Sequence, residues 1–203
     1  MNSKQKAHLS EPLLSRIPVG WYFALGAVLV FGLALGLPAW HGARMSKMDM
    51  NTPQPLQNKA AQGFSLKDVN GQTYTLTPGD GKTHLVLFYM GYFCGDCRVQ
   101  VGNLAQSATQ LKQAADVVAI SVDPASESQK MDQVLHSAFR LLSDPDLRVI
   151  RHYQMEMMGG SPMADRGYAI IDPRGIVRVQ TLDSNYGDHA SKILAQLKAA
   201  SAP

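Results

Sequence analysis

A chain of 203 residues has room for one globular domain of ordinary size and an appendage, but not for two full domains. Hydrophobic residues make up 45% of the chain and charged residues 17%. The formal net charge is only +3, so the chain lacks the basic stripe that binding to a phosphate backbone needs, and we expect no nucleic-acid partner.

The first predicted element is a transmembrane anchor. Residues 17–37 form a run of 21 residues without a charge, about the length that a helix needs to cross a bilayer core of roughly 30 Å. Trp21 and Trp40 lie near its ends, where aromatic rings favour the membrane interface. A cleaved signal peptide is the main alternative, although its apolar core is usually about 7 to 15 residues long. A buried core helix is a second alternative for this segment.

The positive residues around this span predict its orientation. Lys4, Lys6 and Arg16 precede the span, whereas Arg44 and Lys47 follow it, which slightly favours a cytoplasmic tail at residues 1–16. We therefore expect a single-pass protein of the bacterial inner membrane with its C-terminal domain in the periplasm, where a dithiol pair can cycle through disulfide exchange. Residues 38–62 are polar and carry Pro53 and Pro55, which predicts a flexible linker.

From residue 63 onwards the pattern becomes that of a folded α/β domain. Two alternating segments flank Asn70-Gly71, a strong signal for a β-hairpin. The apolar run His84 to Tyr89 predicts a strand buried on both faces, and helical spacing from Cys97 to Leu111 predicts a helix after it. Strands and helices then alternate up to a closing amphipathic helix, predicted at residues 189–200. This order predicts an α/β sandwich.

The only two cysteines of the chain, Cys94 and Cys97, lie between the buried strand and the first turn of the helix. Unpaired N–H groups and the helix dipole stabilise a thiolate at such a position. The spacing also lets one thiol resolve a mixed disulfide formed by the other. This pattern favours redox chemistry over three alternatives, namely a structural bridge, a metal site and two inert thiols. A zinc site normally needs four ligands, and the sequence offers no second cysteine pair.

The Cys-x-x-Cys pair is followed by SVDP at residues 121–124 and by RGYAIIDPRGIVR at residues 166–178. In this order and spacing, residues 64–200 resemble the thioredoxin-fold redoxins, in particular the peroxiredoxin-like AhpC/TSA group. The resemblance implies a thioredoxin-like sandwich with an N-terminal hairpin. It also implies an antioxidant oxidoreductase that needs no dissociable cofactor but depends on an electron-donor or acceptor protein.

The resemblance also implies roles for particular residues. Cys97 falls where peroxiredoxins keep the peroxidatic cysteine, and Arg166 falls where they keep the arginine that stabilises the thiolate and the peroxide oxygens. Met90 and Cys94 stand where that family has proline and threonine. In classical thioredoxins, by contrast, the first cysteine of the pair, here Cys94, is the exposed nucleophile and the second one resolves. Attack by Cys94 on a protein disulfide and attack by Cys97 on a peroxide are therefore both open.

A second resemblance, to the membrane-anchored Sco/SenC copper chaperones of cytochrome oxidase assembly, rests on the anchor, the fold and SVDP. It implies copper bound by Cys94 and Cys97, although the cysteines of that group are one residue further apart. The position of its ligand histidine corresponds to Ala164. The neighbouring Met163 offers a thioether, which is a suitable ligand for Cu(I). In this alternative the metal site is Cys94, Cys97 and Met163.

Overall fold

The computed structural model describes residues 56–202. The predicted tail and anchor, residues 1–37, lie outside the described residues, as does most of the predicted linker. Within residues 56–202, none of the helices has the length and apolar character needed to cross a bilayer.

In the described part of the chain, seven strands form one mixed sheet in the order β2-β1-β5-β4-β3-β6-β7. The strands are β1 (Phe64–Asp68), β2 (Thr73–Leu76), β3 (His84–Phe88), β4 (Asp116–Ser121), β5 (Arg140–Ser143), β6 (Gly167–Ile171) and β7 (Val177–Leu182). Strands β3, β4 and β5 are parallel, as expected when helices connect them, whereas β6 runs antiparallel to β3.

The helices are α1 (Gly95–Ala105), α2 (Ala108–Ala114), α3 (Ala125–Leu135), α4 (Arg148–His152) and α5 (Ala190–Ala200), with a 3₁₀ helix (Tyr186–His189) before α5. The hairpin predicted at Asn70-Gly71 is present, since β1 and β2 pair in antiparallel register. Gly71 has a φ of 74°, a conformation that costs little only for glycine. The expected thioredoxin-like sandwich is therefore confirmed for the described residues.

The two faces of the sheet bury different sets of side chains, because successive residues of a strand point to opposite faces. Leu85 and Leu87 of β3 pack with Val101 and Leu104 of α1 in one cluster. Val86 belongs to a second cluster, on the other face. The face that carries Leu85 and Leu87 also supports the cysteine pair, because Cys97 belongs to the same cluster.

Helix α1 differs from the sequence prediction in two respects. It begins at Gly95 rather than at Cys97, and the helical segment is interrupted at Gln106 and Ser107 before α2 starts. The N–H groups of these two residues bond three positions back, to Asn103 and Leu104, which tightens the chain at the end of α1. The apolar spacing continues through this break, so the spacing alone could not reveal it.

The segment before β1 runs along the outer edge of the sheet. Asn58 donates its N–H to the carbonyl of Val177 (2.7 Å), and Val177 donates in return to Lys59 (2.9 Å). A further bond joins Ala61 to Gly175. Ordered contacts therefore begin inside the segment predicted as the end of the linker, at residues 56–62.

Candidate active site

Cys94 and Cys97 lie where the carboxyl end of β3 leads into α1. Cys94 is the N-cap of α1, with an extended backbone, and its Sγ accepts a hydrogen bond from the N–H of Cys97 at 3.2 Å. A cap with an acceptor atom satisfies one of the N–H groups that have no partner within the helix. The same N–H and the helix dipole favour negative charge on the Cys94 sulfur in the reduced protein.

The two cysteines are joined as a disulfide, with Cα atoms 5.2 Å apart. Their surroundings differ sharply, since Cys97 is 0% exposed whereas Cys94 is only partly buried. A reagent from solvent therefore reaches Cys94 first, and Cys97 faces the interior.

Tyr92, two residues before Cys94, is held by side chains of α1, of α3 and of the loop between β4 and α3. Its N–H donates to a carboxylate oxygen of Asp123 at 2.7 Å, and its carbonyl accepts from the guanidinium of Arg98 at 2.6 Å. Arg98 also lies over the tyrosine ring, 5.1 Å from the centroid, and Lys130 of α3 lies 5.8 Å from it. Burial raises the pKa of Asp123, although the bonds from Tyr92 and Ser121 act against that rise. These contacts fix the loop that carries Cys94.

Arg166 immediately precedes β6, the strand that pairs with β3 on the side away from β4. Its side chain is 22% exposed, and its guanidinium lies 3.8 Å from the carboxylate of Asp96 in the first turn of α1. The Asp96 side chain is 84% exposed, so this ion pair contributes little to stability. The structure thus brings the third predicted site residue to the helix that carries the cysteines.

Two buried tyrosines that the sequence did not single out belong to the same cluster as Cys97. Tyr89 directly follows β3, and Tyr186 begins the 3₁₀ helix. This helix packs closely on α1, since the N–H of Gly187 donates to the side-chain oxygen of Gln100 at 2.8 Å. A tyrosine in a polar stretch 89 positions after Cys97 gives no local signal of such a place.

Met163 of the copper alternative lies between α4 and β6. Its carbonyl accepts the N–H of Met157 at 3.0 Å, and its side chain is partly buried. Over residues 56–202 there is no group of three or more His, Cys, Asp and Glu side chains arranged to hold a metal ion.

An open cleft of about 820 Å³ lies at the opposite end of the sheet from the cysteines. Its lining includes Thr83, Asp116 and Arg140, which stand where β3, β4 and β5 begin. The cysteines follow the carboxyl end of β3, so this cleft is not part of the candidate site.

Most of the described domain matches one known protein family. The model of the AhpC/TSA family matches residues 57–180. The chloroplastic peroxiredoxin Q of Populus jackii is 27% identical over 146 residues, which cover 70% of this chain and 68% of that protein. Peroxiredoxin Bcp of Escherichia coli K12 is 34% identical over 94 residues, which cover 46% of this chain and 60% of that protein.

Solved structures give the same fold. Peroxidoxin BcpB of Mycobacterium tuberculosis superposes with a TM-score of 0.64 at 21% identity, covering 73% of this chain and all of that one. Peroxiredoxin Q of Xanthomonas campestris superposes with a TM-score of 0.59 at 23% identity, covering 67% of this chain and 90% of that one. Neither the family model nor these relatives support the copper-chaperone alternative.

Proposed function

Because this chain belongs to the AhpC/TSA family of peroxiredoxin-like thiol oxidoreductases, we propose that it reduces peroxides by cycling Cys94 and Cys97 between dithiol and disulfide. The observation that carries this proposal is the asymmetry of the pair. Cys94 is accessible and its sulfur accepts a helix N–H, whereas Cys97 is buried one helical turn away.

In the first step, the Cys94 thiolate attacks one oxygen of the peroxide. Cys97 falls at the position of the family's peroxidatic cysteine, but it is 0% exposed, so the peroxide meets Cys94 first. The O–O bond breaks, Cys94 becomes a sulfenic acid, and the second oxygen leaves as water or an alcohol after taking a proton. Negative charge moves from sulfur to the departing oxygen. The helix N-terminus stabilises the thiolate before attack, which raises its concentration at neutral pH.

In the second step, the Cys97 thiol attacks the sulfenic sulfur, and the disulfide forms as water leaves. A Cα separation of 5.2 Å lets this happen without unwinding α1. A dithiol protein then reduces the pair by attacking the accessible Cys94 sulfur. Two electrons enter the pair, and the donor leaves as a disulfide. The cycle needs this electron-donor protein and no dissociable cofactor.

Arg166 has the chemistry to assist the first step. A guanidinium stays charged at any working pH and donates several hydrogen bonds in a fixed plane, which suits a thiolate and a peroxide oxygen. Its position beside the first turn of α1 supports this role.

A second candidate function is exchange with protein disulfides. It is favoured by one observation, namely that a cysteine caps α1 at the position where peroxiredoxins carry threonine. In that case the Cys94 thiolate attacks a substrate disulfide, and Cys97 releases the reduced substrate from the mixed disulfide.

Single serine variants of the full-length protein separate these functions. We expect Cys94→Ser to abolish peroxide consumption, whereas Cys97→Ser should retain one round of peroxide reduction and accumulate a sulfenic acid on Cys94. If Cys97→Ser is inactive and Cys94→Ser accumulates a sulfenic acid on Cys97, the attacking residue is Cys97. Peroxide consumption by the double variant would refute the redox proposal. Efficient reduction of protein disulfides without peroxide consumption would favour the second candidate.

We further propose that residues 17–37 anchor the protein in the bacterial inner membrane with the catalytic domain in the periplasm. The uncharged length of this segment and the excess of positive residues before it support the proposal. A reporter enzyme fused after Pro203 that is active only outside the cytoplasm tests it, and a cytoplasmic signal would refute it.

A further inference from the structure

The hydroxyl of Tyr186 is buried and has no hydrogen-bond partner among residues 56–202. Among the other buried tyrosines of the described domain, all but Tyr89 have partners. Tyr168 donates to Gln196 at 2.9 Å, and Tyr153 donates to the carbonyl of Gln62 at 2.9 Å. The hydroxyls of Tyr89 and of Ser128, which lies beside it, likewise have no hydrogen-bond partner among the described residues.

An unpaired buried O–H is costly, and in a folded protein it calls for an explanation. Its desolvation costs about 1 to 3 kcal/mol when no partner replaces water. One explanation is a partner that exists only in another chemical state of the protein. The described state contains the disulfide, whose sulfurs carry no charge and are weak acceptors.

The surroundings of Tyr186 lead to the cysteine pair. Its 3₁₀ helix is bonded to Gln100, which lies one turn of α1 beyond Cys97, and both Tyr186 and Cys97 belong to one buried cluster. Arg166, beside the first turn of α1, is near enough to act on the phenol electrostatically.

Tyr186 stays a neutral donor in this environment. Burial raises the pKa of Tyr186. The nearby Tyr89 and Asp183 also raise this pKa, whereas Arg166 lowers it. The group therefore keeps its O–H proton at every pH at which the protein works.

We infer that the hydroxyl of Tyr186 donates a hydrogen bond to the Cys97 sulfur when the pair is reduced, so that it stabilises the dithiol state. The inference rests on the proposed function. When a dithiol donor delivers two electrons, the Cys94–Cys97 bond breaks, and the sulfur of Cys97 becomes a thiolate that then takes a proton. A thiolate is a much stronger acceptor than a disulfide sulfur, so the bond forms as the disulfide opens. Tyr186 thereby becomes a catalytic residue that touches a reacting atom.

The test is a redox titration of the full-length protein against reduced and oxidised dithiothreitol. We expect Tyr186→Phe to lower the equilibrium constant for reduction about tenfold, which is a shift of about 30 mV to a more negative midpoint for a two-electron couple. Tyr168→Phe is the matched control, because it removes a hydroxyl from the same cluster that is already bonded to Gln196. It should leave the midpoint unchanged.

A second measurement follows the thiolate directly. In a Cys94→Ser background, the ultraviolet absorbance of the Cys97 thiolate reports its pKa, and we expect Tyr186→Phe to raise that pKa because the donor to the charged form is gone. The inference is overturned if Tyr186→Phe has the same midpoint potential as wild type or leaves the pKa of Cys97 unchanged. It is also overturned if Tyr168→Phe shifts the midpoint potential as much as Tyr186→Phe does. If the wild-type pair does not titrate as a two-electron couple at all, the proposed function fails instead.

Discussion

At the scale of single residues, Arg166 is the side chain whose role is easiest to isolate. We expect Arg166→Gln to slow sulfenic acid formation on Cys94 about tenfold to a hundredfold, because a charge-assisted hydrogen bond contributes about 1.5 to 3 kcal/mol. The rate is measured by trapping the sulfenic acid at intervals after peroxide is added. The control is Arg151→Gln, since Arg151 is 55% exposed and pairs with Glu156 on the surface. An unchanged rate in Arg166→Gln would remove this arginine from the mechanism.

Asp172, at the turn between β6 and β7, makes stability depend on pH. Burial alone would raise its pKa, but bonds from the backbone of Ile176 (2.9 Å) and the guanidinium of Arg178 (2.8 Å) outweigh burial and hold the pKa below its ordinary value. The native state therefore favours the carboxylate, and the unfolded state binds the proton more readily. This contribution is complete above about pH 4 and is lost as the pH falls through the folded pKa.

We expect Asp172→Asn to lower the free energy of unfolding at neutral pH by about 1 to 3 kcal/mol, because hydrogen bonds to a charged acceptor are replaced by weaker ones. Its stability should also change less than that of wild type between pH 5 and pH 2. Denaturant unfolding at several pH values measures both effects. If the free energy of unfolding fell by the same amount between pH 5 and pH 2 in the variant and the wild type, Asp172 would not be a source of this pH dependence.

Much of the candidate site could be predicted at this scale, and the reason is chemical. Cys94 and Cys97 stand out because two thiols three positions apart at a helix start have few other uses, and Arg166 stands out through its place before a recognisable strand. The place of Tyr186 in the buried cluster of Cys97 could not be predicted. The position of Tyr186 is set by the packing of the 3₁₀ helix on α1, an interaction between segments far apart in sequence.

At the scale of elements, the contact between α1 and the 3₁₀ helix is a close backbone approach. A Cβ at Gly187 would collide with the backbone carbonyl of Gln100. We expect Gly187→Ala to lower the free energy of unfolding by about 1 to 3 kcal/mol, as overpacking of a tight contact does. Gly102→Ala is the matched control, because among the described residues no atom beyond its chain neighbours and the backbone of its own helix lies within 4 Å of its added Cβ. That change should stabilise α1 by about 0.5 to 1 kcal/mol.

Denaturant unfolding of both variants measures the two free energies of unfolding. If Gly187→Ala proved as stable as Gly102→Ala, α1 and the 3₁₀ helix would not be in close contact.

The elements themselves were largely predictable, because strand and helix patterns differ in period. The break between α1 and α2 was not, since Val101, Leu104, Ala108 and Leu111 keep one apolar face through it. Val99, within the same segment, is instead 57% exposed. The reason is that Cys97, Val101 and Leu104 already occupy the buried face, and Val99 lies across the helix from them.

At the scale of the whole molecule, the disulfide closes too small a loop to hold the fold together. Its cysteines are three positions apart, and a loop of that length removes only about 2 kcal/mol of chain entropy from the unfolded state. We expect reduction to lower the free energy of unfolding by no more than about this amount. Far-UV circular dichroism should be the same in both states, because α1 is intact with the bond formed.

Denaturant titrations with and without a reductant measure the difference. A reduced protein that is unfolded, or that has lost helix, would show that the bond is structural rather than part of a working cycle.

The bonds from residues 58–61 to Gly175 and Val177, at the start of β7, have a consequence for behaviour at high concentration. An uncovered outer strand offers its free N–H and carbonyl groups as a template on which a strand of another molecule can assemble. In this protein, the backbone of residues 58–61 covers part of the outer edge of the sheet. Deleting residues 56–61 should therefore expose a self-association surface, and the shortened protein should precipitate at concentrations where the intact one stays in solution.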